Sequence, residues 1–298
     1  MRILVTGATG FVGNNLARYL VNHRYEVGLL LRDPENWRVC DIASSTRILQ
    51  ANLTDLSSVQ RAFEEYKPDF IFHCAAYGTR PKYQKDLEEM MRTNIAGTKN
   101  LLEISEGIPL VNTGSSTEYG IKDAPMKESD FCEPILDYGV TKLAQTLICK
   151  RYGAPTLRLF SPYGPWEDPN RLIPTLIKSS LDGISVSLKN TVRDYLFIDD
   201  ISLAFVRSMD CYPQIKGEII NVSSGKQIET EELVEIVYGE KQKTINISWN
   251  YQAVQTEPKS WIADIEKANL LLGWQPQTSI TEGIAKSREW WKKWLKKD

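Results

Sequence analysis

The chain has 298 residues, 42% hydrophobic and 25% charged, with a formal net charge of −2, so it has room for one large soluble domain or two modest ones. That balance of charge speaks against nucleic acid as a partner, which draws on a basic excess. No apolar run is long enough to span a bilayer, and no charged, apolar and small-residue cleavage regions follow one another as in a secretory leader.

Ile3 to Val5 reads as a strand closed by a glycine-bearing turn, and Phe11 to Val21 as a helix with Leu16 and Leu20 one turn apart. Val27 to Leu31 is a second strand, ended by Arg32-Asp33-Pro34. The alternation continues with Phe70 to Ala75 (strand), Leu87 to Ser105 (helix), Pro109 to Thr113 (strand), Tyr138 to Tyr152 (helix) and Ala154 to Leu159 (strand). Short apolar strands alternating with helices imply parallel βαβ units covered on both faces, closing as a doubly wound Rossmann sheet over residues 1–160. After Ser161 proline and glycine become frequent and the alternation lapses, which predicts a smaller mixed α/β substrate-binding lobe over 161–298. Arg193 to Ile198 and Glu218 to Val222 still read as strands and Asp199 to Met209 as a helix, so 193–222 is a candidate to return to the main sheet. The tail from Ile280 to Lys297 reads as a helix, and its Trp290, Trp291 and Trp294 are packing anchors rather than a ligand box.

The five cysteines, Cys40, Cys74, Cys132, Cys149 and Cys211, have no zinc-knuckle or redox spacing, which fits free thiols in a reducing cytoplasm. Two histidines, His23 and His73, are too few for a histidine metal site or a serine hydrolase, and no metal is expected.

Gly7-Ala8-Thr9-Gly10-Phe11-Val12-Gly13 lies between the first strand and the first helix. There the glycines bring unpaired N–H groups and the positive helix end toward one point, as a dinucleotide pyrophosphate requires. Gly7 permits the sharp turn, Gly10 clears space for the pyrophosphate and Gly13 lets helix and sheet close up. The second strand ends at Leu30-Leu31-Arg32-Asp33, with a guanidinium where NAD enzymes often carry an acid. A guanidinium suits a 2′-phosphate, so NADP is expected ahead of NAD.

Tyr138 and Lys142 are four residues apart on one helical face, where an ammonium can lower a phenol's pKa toward acid–base use. The spacing alone is weak, since Tyr212 and Lys216 repeat it beside Pro213 with no serine-bearing strand before them. The first pair follows Thr113-Gly114-Ser115-Ser116-Thr117 at a strand's carboxyl end. Ser115 would face the same crevice and hold a reacting oxygen while Tyr138 exchanges its proton.

Together with these motifs stand His73-Cys74-Ala75-Ala76, Asn94-Ile95-Ala96-Gly97-Thr98, Leu157-Arg158-Leu159-Phe160, Tyr163-Gly164-Pro165 and Arg193-Asp194-Tyr195 to Asp200. In their order and spacing the chain resembles the extended short-chain dehydrogenase/reductases, in the nucleotide-sugar epimerase/dehydratase/reductase branch. The resemblance implies Thr9, Phe11, Val12 and Thr113 at the cofactor, and Asn52 and Leu53 at the adenine, where the family more often has aspartate than Asn52. It implies Ala75, Ala76 and Tyr77 along the cofactor, Asn94 as a brace, Lys142 on the nicotinamide ribose and Phe160 near the nicotinamide. It also implies Ser115, Ser116, Thr117, Tyr138 and Ser161 at the sugar, Arg193 on a substrate diphosphate, and a homodimer through paired helices.

Sugar 4,6-dehydratases of this branch carry an acidic pair directly after the catalytic hydroxyl, and here those positions are Ser116 and Thr117. The expectation is an NADP-dependent reductase of a nucleotide-linked 4-keto-6-deoxy sugar. The alternatives are an NAD-dependent nucleotide-sugar 4-epimerase and a non-catalytic dinucleotide sensor.

Overall fold

The computed structural model describes residues 1–79, 86–239, 247–250 and 259–295. In chain order the first half contains β1 (Arg2–Thr6), α1 (Phe11–Asn22), β2 (Glu26–Leu31), β3 (Arg47–Gln50), α2 (Leu56–Tyr66) and β4 (Phe70–His73). A short helix α3 (Leu87–Met90) passes through a π-helical stretch (Met91–Gly97) into α4 (Thr98–Ile104), followed by β5 (Leu110–Ser115), α5 (Asp137–Arg151) and β6 (Thr156–Leu159). The second half has β7 (Pro162–Tyr163), α6 (Leu172–Asp182), β8 (Val186–Leu188), β9 (Val192–Asp194), β10 (Leu196–Phe197), α7 (Ile198–Asp210) and β11 (Ile219–Val222). Then follow β12 (Gln227–Glu229), α8 (Thr230–Tyr238), β13 (Ile247–Trp249), α9 (Glu266–Leu272) and α10 (Ile280–Trp294).

Seven strands form one parallel sheet in the order β3-β2-β1-β4-β5-β6-β11, as the strand–helix alternation requires. Side-chain alternation divides the core between its faces. Ile3, Val5, Leu29 and Phe72 pack toward α1 and α7, while Leu4, Leu30 and Ile71 pack with Val59 and Phe63 of α2 and Leu101 and Leu102 of α4. Neither β3 nor α2 is among the elements read from the sequence. β3 is a four-residue edge strand, whereas α2 carries a readable start, Asp55 accepting hydrogen bonds from the Ser57 and Ser58 N–H groups.

The expected strand from Arg193 to Ile198 is two strands with different partners. β9 pairs antiparallel with β12, β10 pairs parallel with β7, and Ile198 already belongs to α7. The break follows from Asp194, whose buried carboxyl turns inward to accept N–H groups from Ser224, Gly225 and Ala263. Past it, α7 packs on α1 and β5, and β11 joins the edge of the main sheet beside β6.

In the last helix Trp291 is 2% exposed, and Trp290 and Trp294 stack at 5.2 Å. Trp166, after β7, and Trp37, after β2, complete the aromatic cluster at 5.1 Å from Trp290 and 4.9 Å from Trp294. The tail thus pins the two connections together; Lys297, its expected end, lies outside the described residues. Among the described residues no helix is long and apolar enough to cross a membrane.

Candidate active site

The carboxyl ends of β1, β2, β4, β5 and β6 open on a cavity of about 1020 Å³, whose other lining includes Glu167, Asp168, Arg171, Arg193, Tyr195 and Trp261. Ligand pockets hold roughly 300–1,000 Å³, so this space is at the large end of that range. Its inner edge is the glycine turn. Gly7 has φ +72°, and a Cβ there would stand 2.6 Å from the Ala75 backbone, so β1 and β4 meet this closely through glycine alone. A Cβ on Gly13 would stand 2.6 Å from the Gly7 carbonyl, which is how α1 seats against the turn. Gly10 caps α1 without a side chain, leaving the first helical N–H groups at the cavity edge for an anion. These features fit a dinucleotide pyrophosphate.

Ser115 closes β5 and begins a tight turn. Its hydroxyl accepts the Thr117 N–H and shares a 2.8 Å hydrogen bond with the Thr117 hydroxyl. The turn is held by Glu118, which sequence reasoning left unassigned. One carboxylate oxygen accepts the Ser115 N–H at 2.7 Å, completing a capping box, and the other accepts two Arg158 N–H groups at 3.0 and 2.8 Å. Glu118 and Arg158 are fully buried, so an ion pair sits directly beneath the serine. The S-x-x-E spacing was a local signal for the first half of this arrangement; the arginine partner 40 residues on was not.

Tyr138, in the first turn of α5, shares the cavity lining with Ser115 and Lys142. The expectation that Lys142 lowers the phenol's pKa is corrected here. The ammonium is turned inward, donating to the Thr113 carbonyl at 2.6 Å and to Gln145 Oε1. Burial pushes the Tyr138 phenol above its ordinary value, and the Glu118 carboxylate pushes it further. The Arg171 guanidinium and the Ser115 hydroxyl act in the opposite sense. Lys142 itself is lowered to about 8 by burial, against the pull of Glu118. Behind it runs a buried polar chain. Gln145 Nε2 donates to the Thr98 hydroxyl, which hydrogen-bonds His73 Nε2 at 2.9 Å, and His73 Nδ1 meets the Thr6 hydroxyl at 2.7 Å. Burial depresses His73 to about 3, so it remains neutral and links the end of β1 to α5.

Of the other expected residues, Thr9, Phe11, Val12, Arg32, Asn52, Leu53, Ala75, Ala76, Tyr77 and Thr113 line the cavity. So do Ser116, Thr117, Ser161 and Arg193. Arg32 is exposed at the rim, with Glu89 at 3.6 Å. Asn94 sits behind the lining, in the π-helical stretch. It accepts the Tyr77 N–H at 2.7 Å and donates to the Tyr77 carbonyl and the Thr141 hydroxyl, tying the end of β4 to α5. Phe160 is not brought to the cavity. Leu159 and Ser161 on either side line it, while the Phe160 ring packs away from it with Tyr119, Met126 and Ala263. Arg193 lies over the Trp261 ring at 5.4 Å. Arg38, Glu167 and Arg171 also line the cavity and were not foreseen; Arg38 donates to the Thr9 and Trp166 carbonyls, bridging the glycine turn to the loop after β7.

Residues 3–223 match the NAD dependent epimerase/dehydratase family. The chain belongs to that family. It is accordingly an enzyme of the extended short-chain dehydrogenase/reductase type. A UDP-glucuronate 4-epimerase of Thermodesulfobacterium geofontis is 28% identical over 96% of this chain and 95% of its own length. A probable dTDP-glucose 4,6-dehydratase of Sinorhizobium fredii is 26% identical over 98% and 93%. Among solved structures, the UDP-glucuronic acid 4-epimerase of Bacillus cereus, in complex with UDP-glucuronic acid and NAD, superposes with a TM-score of 0.86 at 28% identity. It covers 99% of this chain and 100% of that one.

Proposed function

We propose that this enzyme reduces a nucleotide-linked 4-keto-6-deoxy sugar with NADPH, delivering hydride to C4. The observation that carries the reading is the end of β2, where Leu31 occupies the position of a ribose-binding acid and Arg32 follows on the cavity rim. A guanidinium there suits the 2′-phosphate of a cofactor exchanged each cycle. Gly7, Thr9, Gly10, Phe11 and Val12 would hold the pyrophosphate, Asn52 and Leu53 the adenine, and Ala75, Ala76, Tyr77, Thr113 and Lys142 the nicotinamide half. Bound NADPH supplies the hydride that reduces the carbonyl.

The remaining chemistry belongs to side chains. A phenol pushed above its ordinary value keeps its proton at neutral pH, which suits a group that gives a proton to a new alkoxide. Tyr138 therefore protonates the C4 oxygen, turning carbonyl into alcohol, and regains its proton from solvent. Ser115 holds that oxygen through its hydroxyl. Dehydration is disfavoured because Ser116 and Thr117 follow Ser115, and the carboxyls lining the cavity, Asp33, Glu167 and Asp168, come from other segments. Arg193, with Trp261 beneath it, would meet the substrate diphosphate.

The likeness to UDP-glucuronate 4-epimerases, one of them solved with NAD, supports a second reading as an NAD-dependent nucleotide-sugar 4-epimerase. Supplying NADPH with 4-keto-6-deoxy nucleotide sugars and following nicotinamide absorbance separates the two. Oxidation of NADPH is the expected result. No oxidation with any of them, together with interconversion of 4-epimeric nucleotide sugars without added cofactor, hands the case to the epimerase.

A further inference from the structure

Two buried side chains join the glycine turn and the start of α1 to the loop after β7. Arg38 donates from Nη1 to the Thr9 carbonyl at 3.2 Å and from Nε to the Trp166 carbonyl at 3.0 Å. Asn15 donates through Nδ2 to the Phe11 carbonyl at 2.9 Å and to the Pro165 carbonyl at 3.1 Å. Arg38 is itself fixed, its own carbonyl accepting from Asn14 and Arg18 at 2.6 and 2.7 Å. Its guanidinium is planar, so it sets the spacing of the two carbonyls it bridges. In the bridged loop Trp166 holds φ +69°, left-handed backbone that persists only where the surroundings impose it, and the Arg18 guanidinium covers its ring at 3.7 Å. Thr9 and Phe11 line the cavity, and so do Asp168 and Arg171 just beyond Trp166. The two ties therefore connect the lining of one wall to the lining of the other.

We propose that Arg38 is a positioning residue that couples two binding events: a dinucleotide seated on the glycine turn tightens the binding of a nucleoside diphosphate in the rest of the cavity, and the reverse. This rests on the reading that the cavity takes both a dinucleotide and a nucleotide sugar, and is independent of whether that sugar is reduced or epimerised. A pyrophosphate held at the start of α1 immobilises the backbone of Thr9 and Phe11. Through their carbonyls it steadies Arg38 and Asn15, and through these the strained loop at Trp166. The second ligand then meets Asp168 and Arg171 already ordered and gives up less conformational entropy on binding. Linkage makes the effect mutual and equal in size in both directions.

Calorimetric titration of UDP and of dTDP, each alone and with saturating NADP⁺ or NAD⁺, measures the coupling without turnover. With the pair that binds, the dinucleotide should tighten the diphosphate by about fivefold or more, and the diphosphate should tighten the dinucleotide by the same factor. Arg38→Lys keeps the charge but replaces the planar fork with a single ammonium, which cannot span both carbonyls in the same way. It should bring the factor to about one while each ligand alone binds within about threefold of wild type. Asn15→Leu, which cuts the other tie, should lower the factor without abolishing it. A wild-type factor of one overturns the proposal, and so does a factor that survives in Arg38→Lys. An Arg38→Lys protein in which both ligands weaken alike with the factor intact makes the arginine structural support only. If neither diphosphate or neither dinucleotide binds by itself, the reading of the cavity fails and the coupling with it; the NADPH oxidation assay judges the redox reading separately.

Discussion

On the sheet side of the cavity the lining is largely backbone and small side chains. Gly7, Gly10 and Gly13 shape it, and the N-terminus of α1 supplies N–H groups without a capping side chain. On the lobe side it is rich in long side chains: Arg193 on β9, and Glu167, Arg171, Tyr195 and Trp261 on irregular segments. A wall of backbone binds what every dinucleotide has in common, its pyrophosphate and riboses. A wall of side chains can change residue by residue and so can select a particular sugar. The reacting groups, Ser115 and Tyr138, sit on the seam, carried by the sheet side and facing the lobe. Altering one side should disturb binding of one partner, and altering the seam should disturb turnover with both partners still bound.

The largest effect is expected at the seam. Tyr138→Phe removes the proton donor while the ring still fills its site, so turnover should fall by about a hundredfold to ten-thousandfold. Titration should find NADPH and nucleotide-sugar affinities within about threefold of wild type, since no binding contact of the phenol's ring is lost. A rate equal to wild type removes Tyr138 from the chemistry. A loss of nucleotide affinity as large as the loss of rate makes it a structural residue instead.

Next in size is the support beneath the seam. Glu118→Gln leaves the buried Arg158 guanidinium without a carboxylate, and breaking one side of such a pair costs about 3–5 kcal/mol. Urea unfolding should show a loss of that order, and turnover should fall as well because the carboxylate oxygen no longer fixes the Ser115 N–H. Glu118→Val combined with Arg158→Leu should recover most of the stability without recovering turnover, since the apolar pair packs but cannot cap the serine turn. If Glu118→Gln unfolds at the wild-type midpoint, the ion pair is not what holds this side of the seam.

The two walls also differ in how far they could be read from the sequence. The glycine turn is a local pattern at the junction of a strand and a helix, and its physical demands are met within seven residues. The parallel sheet follows for the same reason, since apolar runs at strand length need no distant information. Phe160 shows a local signal passed over. Consecutive residues near a strand's end point to opposite sides, so with Leu159 and Ser161 in the cavity Phe160 faces Tyr119. Lys142 shows a different limit. Helical spacing puts it on the Tyr138 face, but the Thr113 carbonyl and Gln145 that take up its ammonium depend on how α5 docks against β5. Arg171, Arg193 and Trp261 reach one cavity wall from segments far apart along the chain, and no spacing rule reaches that distance.

The smallest effect tests the sheet side at its variable point, the cofactor's 2′ position. Arg32 is exposed, and among the described residues its ion-pair partner is Glu89 at 3.6 Å, so the guanidinium is held loosely and open to a phosphate. Arg38, by contrast, is buried and hydrogen-bonded to the Thr9 and Trp166 carbonyls, which fixes it beneath the turn and leaves the rim to Arg32. A charge-assisted contact from an exposed arginine is worth about 1–2 kcal/mol, so Arg32→Asp should raise the KM for NADPH by about tenfold or slightly more. The KM for NADH should move less or fall, because an acid at that position can accept the ribose hydroxyls. Glu89→Gln should act in the opposite sense and by less, freeing Arg32 from its competing carboxylate and sharpening the preference for NADPH. Steady-state kinetics with both cofactors measures all of this. Equal shifts for NADPH and NADH in Arg32→Asp would mean that the rim arginine does not read the 2′-phosphate, and the epimerase reading with NAD would gain accordingly.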